Sequence, residues 1–371
     1  MAIAIQPYGA DLIPAVKAFN QRLAAGGGVA PEFHFPENNI PHWLPKLEGR
    51  RIHQEYYLAV DGDCVRGGFI LKYQDFFFHG KPQPVVYYHL PISEGIVNKA
   101  YAGVGVHMLR SALKLQPMLF ALGMGGFDRP LPQMLKVMGW SLCAVPFYFR
   151  VNHPAKFLRE VAPLRETKSR RLLAALAAVT GVGSAGIKLI NSLRTGSPEH
   201  GLFVEQVGGF TERDDDLWEQ SREHYKLIAD RACATLNALY PRSKNFLCIK
   251  VSHASRFIGW AVLLDTQMRD NKYFGNMRLG SIVDCLALPE NALAVMQAAT
   301  QFLEQRGVDL IISNQSHHAW GGALKSSGFL ETRSNFIFGA SKPLAELLSP
   351  FQNNQNQVFL NRGDGDGPVN L

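Results

Sequence analysis

One order of secondary-structure elements runs through this chain twice, and that repetition limits the fold more than any single motif does. Over residues 1–160 the periodicity predicts a strand in AIAIQPY and a helix from Asp11 with Ile13, Val16, Phe19 and Leu23 on one face. Extended runs follow in EYYLAVDG, CVRGGFILKYQDFFF and PVVYYHLPIS. A turn holding Gly103 and Gly105 then opens a helix with Val106, Leu109 and Leu113 on one face, before strand MLFALG, helix LPQMLKVMGW and strand LCAVPFYFRV. Residues 201–341 repeat the order in different letters. The elements there are strand GLFVEQVGG, a long helix around DLWEQSREHYKLI, strands NFLCIKVS, FIGWAVLLD and RLGSIVDCLAL, helix ALAVMQAATQFLEQRG, strand VDLIISN, helix AWGGALKSSGF and strand NFIFGAS. A duplication at this scale reads as two copies of one α/β unit.

At 371 residues and 47% hydrophobic content, each copy has enough chain to bury a core of its own. The expected divisions are an N-terminal unit over 1–160, a connector over 161–200, a C-terminal unit over 201–345 and a polar tail over 346–371. The connector is basic and rich in Ala, Leu and Gly; its uncharged run from Leu172 to Ile187 is shorter than the roughly 20 residues a spanning helix needs. Two readings remain for it: a helix packed between the units, or a peripheral membrane contact through 170–194, where Arg170, Arg171, Lys188 and Arg194 flank the apolar run. The tail, Gln/Asn/Gly-rich and containing RGDGDG, is expected at the surface.

The excess of 38 Lys+Arg over 31 Asp+Glu, a net charge of +7, suits phosphate groups, acidic lipid or nucleic acid. No basic stripe interleaved with aromatics is present, which argues against nucleic acid. Five scattered cysteines without a C-x-x-C pair suggest neither a disulfide framework nor a zinc site, and a reduced, cytoplasmic setting is expected. The start of the chain lacks a basic n-region followed by an apolar run, so no secretory signal is expected.

A glycine pair at a helix start leaves unpaired backbone N–H groups facing outward at the positive end of the helix dipole, without a Cβ in the way of an anion. The third glycine of a dinucleotide fingerprint and the Gly-Lys-Ser/Thr of an NTP loop are both missing. The element order, the AYAGVG turn after the fourth strand, and helices ending in Gly139-Trp140 and Gly328-Phe329 together resemble the GNAT superfamily of acyl-CoA N-acyltransferases. In that family the fourth strand runs into Q/R-x-x-G-x-G/A, which cradles the coenzyme A pyrophosphate. Gly103 and Gly105 fit this pattern, and Ala100 stands where Gln or Arg is usual. The resemblance implies two tandem α/β units, each a mixed, mostly antiparallel sheet flanked by helices. It also implies an acyl-CoA co-substrate held at Ser93, Gly103, Val104, Gly105, Val106 and His107. The second copy opens the matching helix with LPENALAVMQ and no glycine, so the coenzyme site is expected in the first copy. A tandem pair is also similar to the Fem-type aminoacyl transferases and to double-GNAT proteins of bacterial exopolysaccharide clusters. DRACATLN (Asp230–Asn237) and RGDGDG carry the latter likeness.

The chemistry implied is direct attack of an amine on a thioester, which needs a base for the amine and an acid for the leaving thiolate. Glu94, at the end of PVVYYHLPIS, is the candidate base and Tyr101 the candidate acid; a solvated or capping Glu and a packing Tyr are the plain alternatives. Asp284 lies in the apolar run GSIVDCLAL and needs a partner, which is either Arg278, a backbone turn or an acceptor amine. Asn314 and His317 in SNQSHHAW follow a buried strand, where open α/β sheets place ligands, and a helix cap from Asn314 or Ser316 is the alternative. Phe76, Phe77 and Phe78 offer an acyl-chain pocket only in part, since alternate strand residues face opposite sides. No metal is expected. The acceptor is expected to be a small-molecule or glycan amine, with an amino sugar or cell-envelope intermediate as the guess. A tRNA-dependent transferase and a non-catalytic scaffold in polysaccharide assembly are the rivals.

Overall fold

The computed structural model describes residues 3–27, 34–40, 44–48, 52–161, 201–242 and 246–365. The expected connector and its membrane reading, over 170–194, lie outside these residues.

The first half of the chain supplies strands β1 (Ala4–Pro7), β2 (His53–Asp61), β3 (Cys64–Tyr73), β4 (Phe76–Phe78), β5 (Lys81–Gln83), β6 (Val86–Ser93), β7 (Leu119–Met124), β8 (Ser141–Ala144) and β9 (Phe147–Val151). Its helices are α1 (Ile13–Ala25), α2 (Val104–Leu115), α3 (Pro130–Val137) and α4 (Pro154–Glu160). The second half supplies β10 (Leu202–Val207), β11 (Leu227–Ala229), β12 (Leu247–His253), β13 (Arg256–Gln267), β14 (Arg278–Ala287), β15 (Leu310–Asn314), β16 (Leu330–Thr332), β17 (Phe336–Ala340) and β18 (Val358–Phe359). Its helices are α5 (Asp215–Ser221), α6 (Cys233–Leu239), α7 (Ala292–Gln305), α8 (His318–Ser326), α9 (Lys342–Leu347) and α10 (Phe351–Asn354).

Two compact units result: Met1–Phe76 with Pro82–Cys143 and Ile337–Asn353, and Phe77–Lys81 with Ala144–Phe336 and Asn354–Leu371. The first is built on a seven-stranded sheet in the order β1-β2-β3-β6-β7-β17-β8, the second on one in the order β10-β12-β13-β14-β15-β9-β16. The second is antiparallel except where β14 meets β15; in the first, β1, β2, β3 and β6 are antiparallel neighbours and β6 meets β7 in parallel. Helix α2 covers one face of the first sheet through Val104, Met108, Leu109 and Ala112, and α1 covers the other through Val16, Phe19 and Leu23.

These units and their elements depart from the expected ones in three places. LCAVPFYFRV is not one strand, because Pro146 has no N–H to donate and breaks it. The part before it is β8 of the first sheet, and the part after it is β9, paired with β15 and β16 in the second. Strand β17 takes the equivalent place in the first sheet, between β7 and β8. The long helix around DLWEQSREHYKLI ends at Ser221, because the apolar run after it is drawn into β11. The tail is no surface appendage, since Phe359, Leu360, Asn361 and Asp364 are buried.

In both units the fourth strand is kinked where it leaves the fifth. Strand β6 pairs in parallel with β7 only at Val86↔Leu119 and Tyr87↔Phe120; past that point its register against β3 shifts and Leu90 takes a φ of 44°. Strand β14 pairs with β15 from Leu279 to Ile282, then shifts register against β13 just before Asp284. Each sheet therefore opens a notch between its central parallel strands.

Candidate functional site

In the first unit the notch leads directly to the glycine turn. Strand β6 ends at Ser93, and two short 3-10 turns, Glu94–Ile96 and Lys99–Tyr101, carry the chain to α2. The Asn98 side chain accepts from the Ala100 N–H at 3.0 Å, so the turn that lacks the usual Gln or Arg is braced locally. Gly103 occupies the N-cap of α2 and no side chain caps the helix. The first bond of the helix runs from the His107 N–H to the Gly103 carbonyl, at 3.0 Å, so the outward N–H groups are those of Val104, Gly105 and Val106. His107 is exposed and its N–H is spent within the helix. A Cβ on Gly103 would meet nothing within 4 Å, while one on Gly105 would lie 3.6 Å from both Ser93 Oγ and Met134 Sδ. Ser93, Gly105 and α3 thus frame one opening at the positive end of α2.

Gly123, Met124, Gly125 and Gly126 run in succession at φ 93°, 60°, 76° and 132° from the end of β7 toward α3. Glycine adopts this backbone freely and methionine only under strain, so Met124 marks a constrained loop beside the notch.

Glu94 is buried and bound on both oxygens. Arg22 donates through Nε at 3.1 Å and Nη2 at 3.0 Å, and Arg66 Nη1 lies 3.2 and 3.0 Å from the two oxygens. Burial alone raises its pKa, but the bonds and charges of Arg22 and Arg66 outweigh it and hold the carboxyl below 4.5. A carboxylate so stabilised is a poor proton acceptor, and here it anchors α1 to the end of β6. A folded pKa below the unfolded one contributes stability above about pH 4 that fades as pH falls through the folded value. Glu94→Gln is accordingly expected to cost about 1–2 kcal/mol at pH 7 in urea unfolding, with the gap to the native chain closing below about pH 4. A gap independent of pH would contradict the ion-pair account. Tyr101 lies beneath the Arg66 guanidinium, 4.2 Å from ring centroid to Cζ.

His89 lies at the parting of β6 and β7. Its ring stacks on Tyr87 at 5.1 Å and 14°, and Tyr87 in turn stacks on Phe120 at 4.9 Å and donates from its hydroxyl to the Leu122 carbonyl at 3.0 Å. His89 shares a β6 face with Tyr87, one residue before the Leu90 kink, and is half-buried. The signal available in the sequence was a histidine in a strand just before Leu-Pro. Of the phenylalanine run, Phe76 packs on Phe120 in the first unit and Phe77 on Trp218 in the second, so the three do not line one pocket.

In the second unit Asp284, Asn314 and His317 are each engaged by the chain's own residues. Asp284 Oδ1 accepts from Arg231 Nε at 3.0 Å, Asn361 Nδ2 at 2.6 Å and the Cys285 N–H at 2.8 Å; Oδ2 accepts from the Tyr240 hydroxyl at 2.9 Å. Its partner is therefore Arg231 and not Arg278, which is engaged by Asp265 at 2.7 Å. Asn314 Oδ1 accepts from Arg362 Nε at 3.1 Å. His317 itself caps α8 by accepting from the Ala319 N–H at 3.3 Å, and burial, with His318 alongside, pulls its pKa down to about 3, so it stays neutral. Helix α7, the counterpart of α2, is entered through Pro289, which lacks an N–H, and Glu290, which repels anions. Among the described residues no three His, Cys, Asp or Glu side chains gather as a metal site, and no helix is long and apolar enough to cross a membrane.

No protein-family model matches the chain, and no curated protein matches it significantly in sequence. Solved structures do. An Enterococcus faecalis protein described as a probable N-acyltransferase is similar at 11% identity over 94% of this chain and 74% of that one, with a TM-score of 0.52. A GCN5-related N-acetyltransferase from Anabaena variabilis is similar at 10% identity over 91% and 72%, with a TM-score of 0.51. The chain has the GNAT fold. At these identities the likeness is one of fold, and the chemistry has to be argued from the chain's own residues.

Proposed function

We propose that the chain is an acyl-CoA-dependent N-acyltransferase whose donor site lies in the first unit. The observation that carries this reading is the uncapped, glycine-opened start of α2 beside the β6/β7 notch, within a GNAT fold. The Val104, Gly105 and Val106 N–H groups take the pyrophosphate at the helix's positive end, with Ser93 alongside. The acyl-bearing arm follows the notch, where backbone N–H groups at the end of β6 meet the developing oxyanion.

His89 replaces Glu94 as the base. A neutral imidazole carries a nitrogen lone pair that can accept a proton, whereas the Glu94 carboxylate is held by two guanidinium groups. The amine nitrogen attacks the thioester carbonyl carbon and the C–N bond forms. His89 takes the amine proton, and the C–S bond breaks as the thiolate is protonated by Tyr101 or by the His89 imidazolium. An amine on an amino sugar or a cell-envelope intermediate is the acceptor class to screen first.

His89→Gln is expected to lower kcat about 100-fold or more while acyl-CoA affinity stays within about twofold, read by thiol release and by mass spectrometry of the product. Full activity in that variant would remove His89 from the mechanism. Absence of product from any amine, with acyl-CoA still bound, would favour a non-catalytic scaffold. The Ala100 substitution supports that second reading.

A further inference from the structure

DRACATLN and the RGD of RGDGDG, more than a hundred residues apart, meet inside the second unit. Arg231 donates to Asp284 through Nε and to Asp364 Oδ1 through Nη2 at 2.9 Å, its Nη1 reaches the Ala229 carbonyl at 2.9 Å, and its guanidinium lies 4.7 Å from the Phe359 ring. Arg231, Asp284 and Asp364 are each 1% exposed. The segment they hold spans the notch. On the β14 side Asn361 bonds Asp284. On the β15 side Asn361 pairs with Gln315, Arg362 bonds Asn314, and the Leu360 N–H donates to Ser316 Oγ at 2.8 Å while the Ser316 N–H donates to the Leu360 carbonyl at 3.0 Å. Strand β18 continues it by pairing in parallel with β11. Gly363 is required where it sits, because a Cβ there would run into the Tyr240 hydroxyl.

We infer that residues 358–364 are a built-in strap that occupies the opening between β14 and β15, with Arg231 as its clasp. The strap supplies, from the chain itself, the hydrogen-bonding groups that a bound ligand would otherwise supply to the parted strands. The second unit is thereby closed to a donor, and opening it requires the strap to leave. A full chain needs this network satisfied, since two carboxylates and a guanidinium are fully withdrawn from water there.

Cysteine reactivity tests this. Cys285 lies on β14 in the strapped opening, next to Asp284, and Cys248 lies on β12 of the same sheet; both are buried. The full chain is treated with a maleimide and labelled cysteines are located by peptide mass spectrometry. In the native protein exposed Cys64 is expected to label at least about 100-fold faster than Cys285. Asp364→Asn, which weakens the clasp, and Gly363→Ala, which pushes the strap away from Tyr240 without changing charge, are each expected to raise Cys285 labelling at least about tenfold while Cys248 stays protected. Cys285 labelling in the native chain as fast as Cys64 overturns the inference. So does an unchanged Cys285 in both variants, and so does Cys285 opening only together with Cys248, which would make the segment part of the global fold and not a strap.

Discussion

Replacing Gly105 by glutamate is expected to lower acetyl-CoA affinity at least 100-fold, about 2.8 kcal/mol, while leaving the fold intact or slightly firmer. The two effects have opposite signs for physical reasons. Glutamate is a better helix former than glycine by up to about 1 kcal/mol, and a carboxylate in the first turn of a helix complements its dipole. The Cβ meets Ser93 Oγ and Met134 Sδ only at ordinary contact distance, so no backbone shift is forced. The same carboxylate places a negative charge among the Val104, Gly105 and Val106 N–H groups, where the pyrophosphate is proposed to bind. Gly105→Ala, which adds bulk without charge, is expected to lose less than tenfold. Calorimetric titration together with thermal unfolding checks both. A variant that unfolds earlier and also fails to bind would show that the glycine serves the helix and not a ligand.

Replacing Arg231 by methionine carries the largest expected cost in stability. The side chain donates to both Asp284 and Asp364, and all three groups are buried. Removing one partner of a buried ion network costs about 3–5 kcal/mol, because the remaining charges keep their desolvation penalty. Arg231→Lys keeps the charge but not the fork that reaches both carboxylates and the Ala229 carbonyl, and is expected to recover less than half of the loss. Adding Asp284→Asn and Asp364→Asn to Arg231→Met is expected to restore stability toward the native value. Urea unfolding followed by tryptophan fluorescence suits this test, since Trp218, Trp260 and Trp320 are all buried in the second unit. A loss below about 1 kcal/mol for Arg231→Met would mean that water reaches the network.

How far the sequence went depends on whether the governing contact is local. The repeated element order and the glycine turn are local, and both the α/β sheets and the start of α2 appear where periodicity and Gly103/Gly105 put them. LCAVPFYFRV is expected as one strand although it contains Pro146, and nothing nearby says that β9 leaves for the other sheet, because that choice is made by β15 and β16 far along the chain. Glu94 read as a free carboxylate at a strand end because its partners, Arg22 and Arg66, lie on α1 and β3. A carboxylate in the apolar run GSIVDCLAL calls for a partner, but the partner is Arg231, 53 residues away, and not the nearby Arg278, which Asp265 engages. The strap was the least legible part. A polar, Gly- and Asn-rich segment satisfies every compositional sign of a surface tail, and only the opening between β14 and β15 turns Asn361 and Asp364 into buried groups.

The most direct test of the central claim is calorimetric titration of the full native chain with acetyl-CoA and with coenzyme A. One equivalent bound per chain, at micromolar affinity, is the predicted result, with the donor in the first unit and the second closed by its strap. No heat up to millimolar ligand, where binding is worth only about 4 kcal/mol, would contradict the acyl-CoA reading, and two equivalents per chain would contradict a closed second unit.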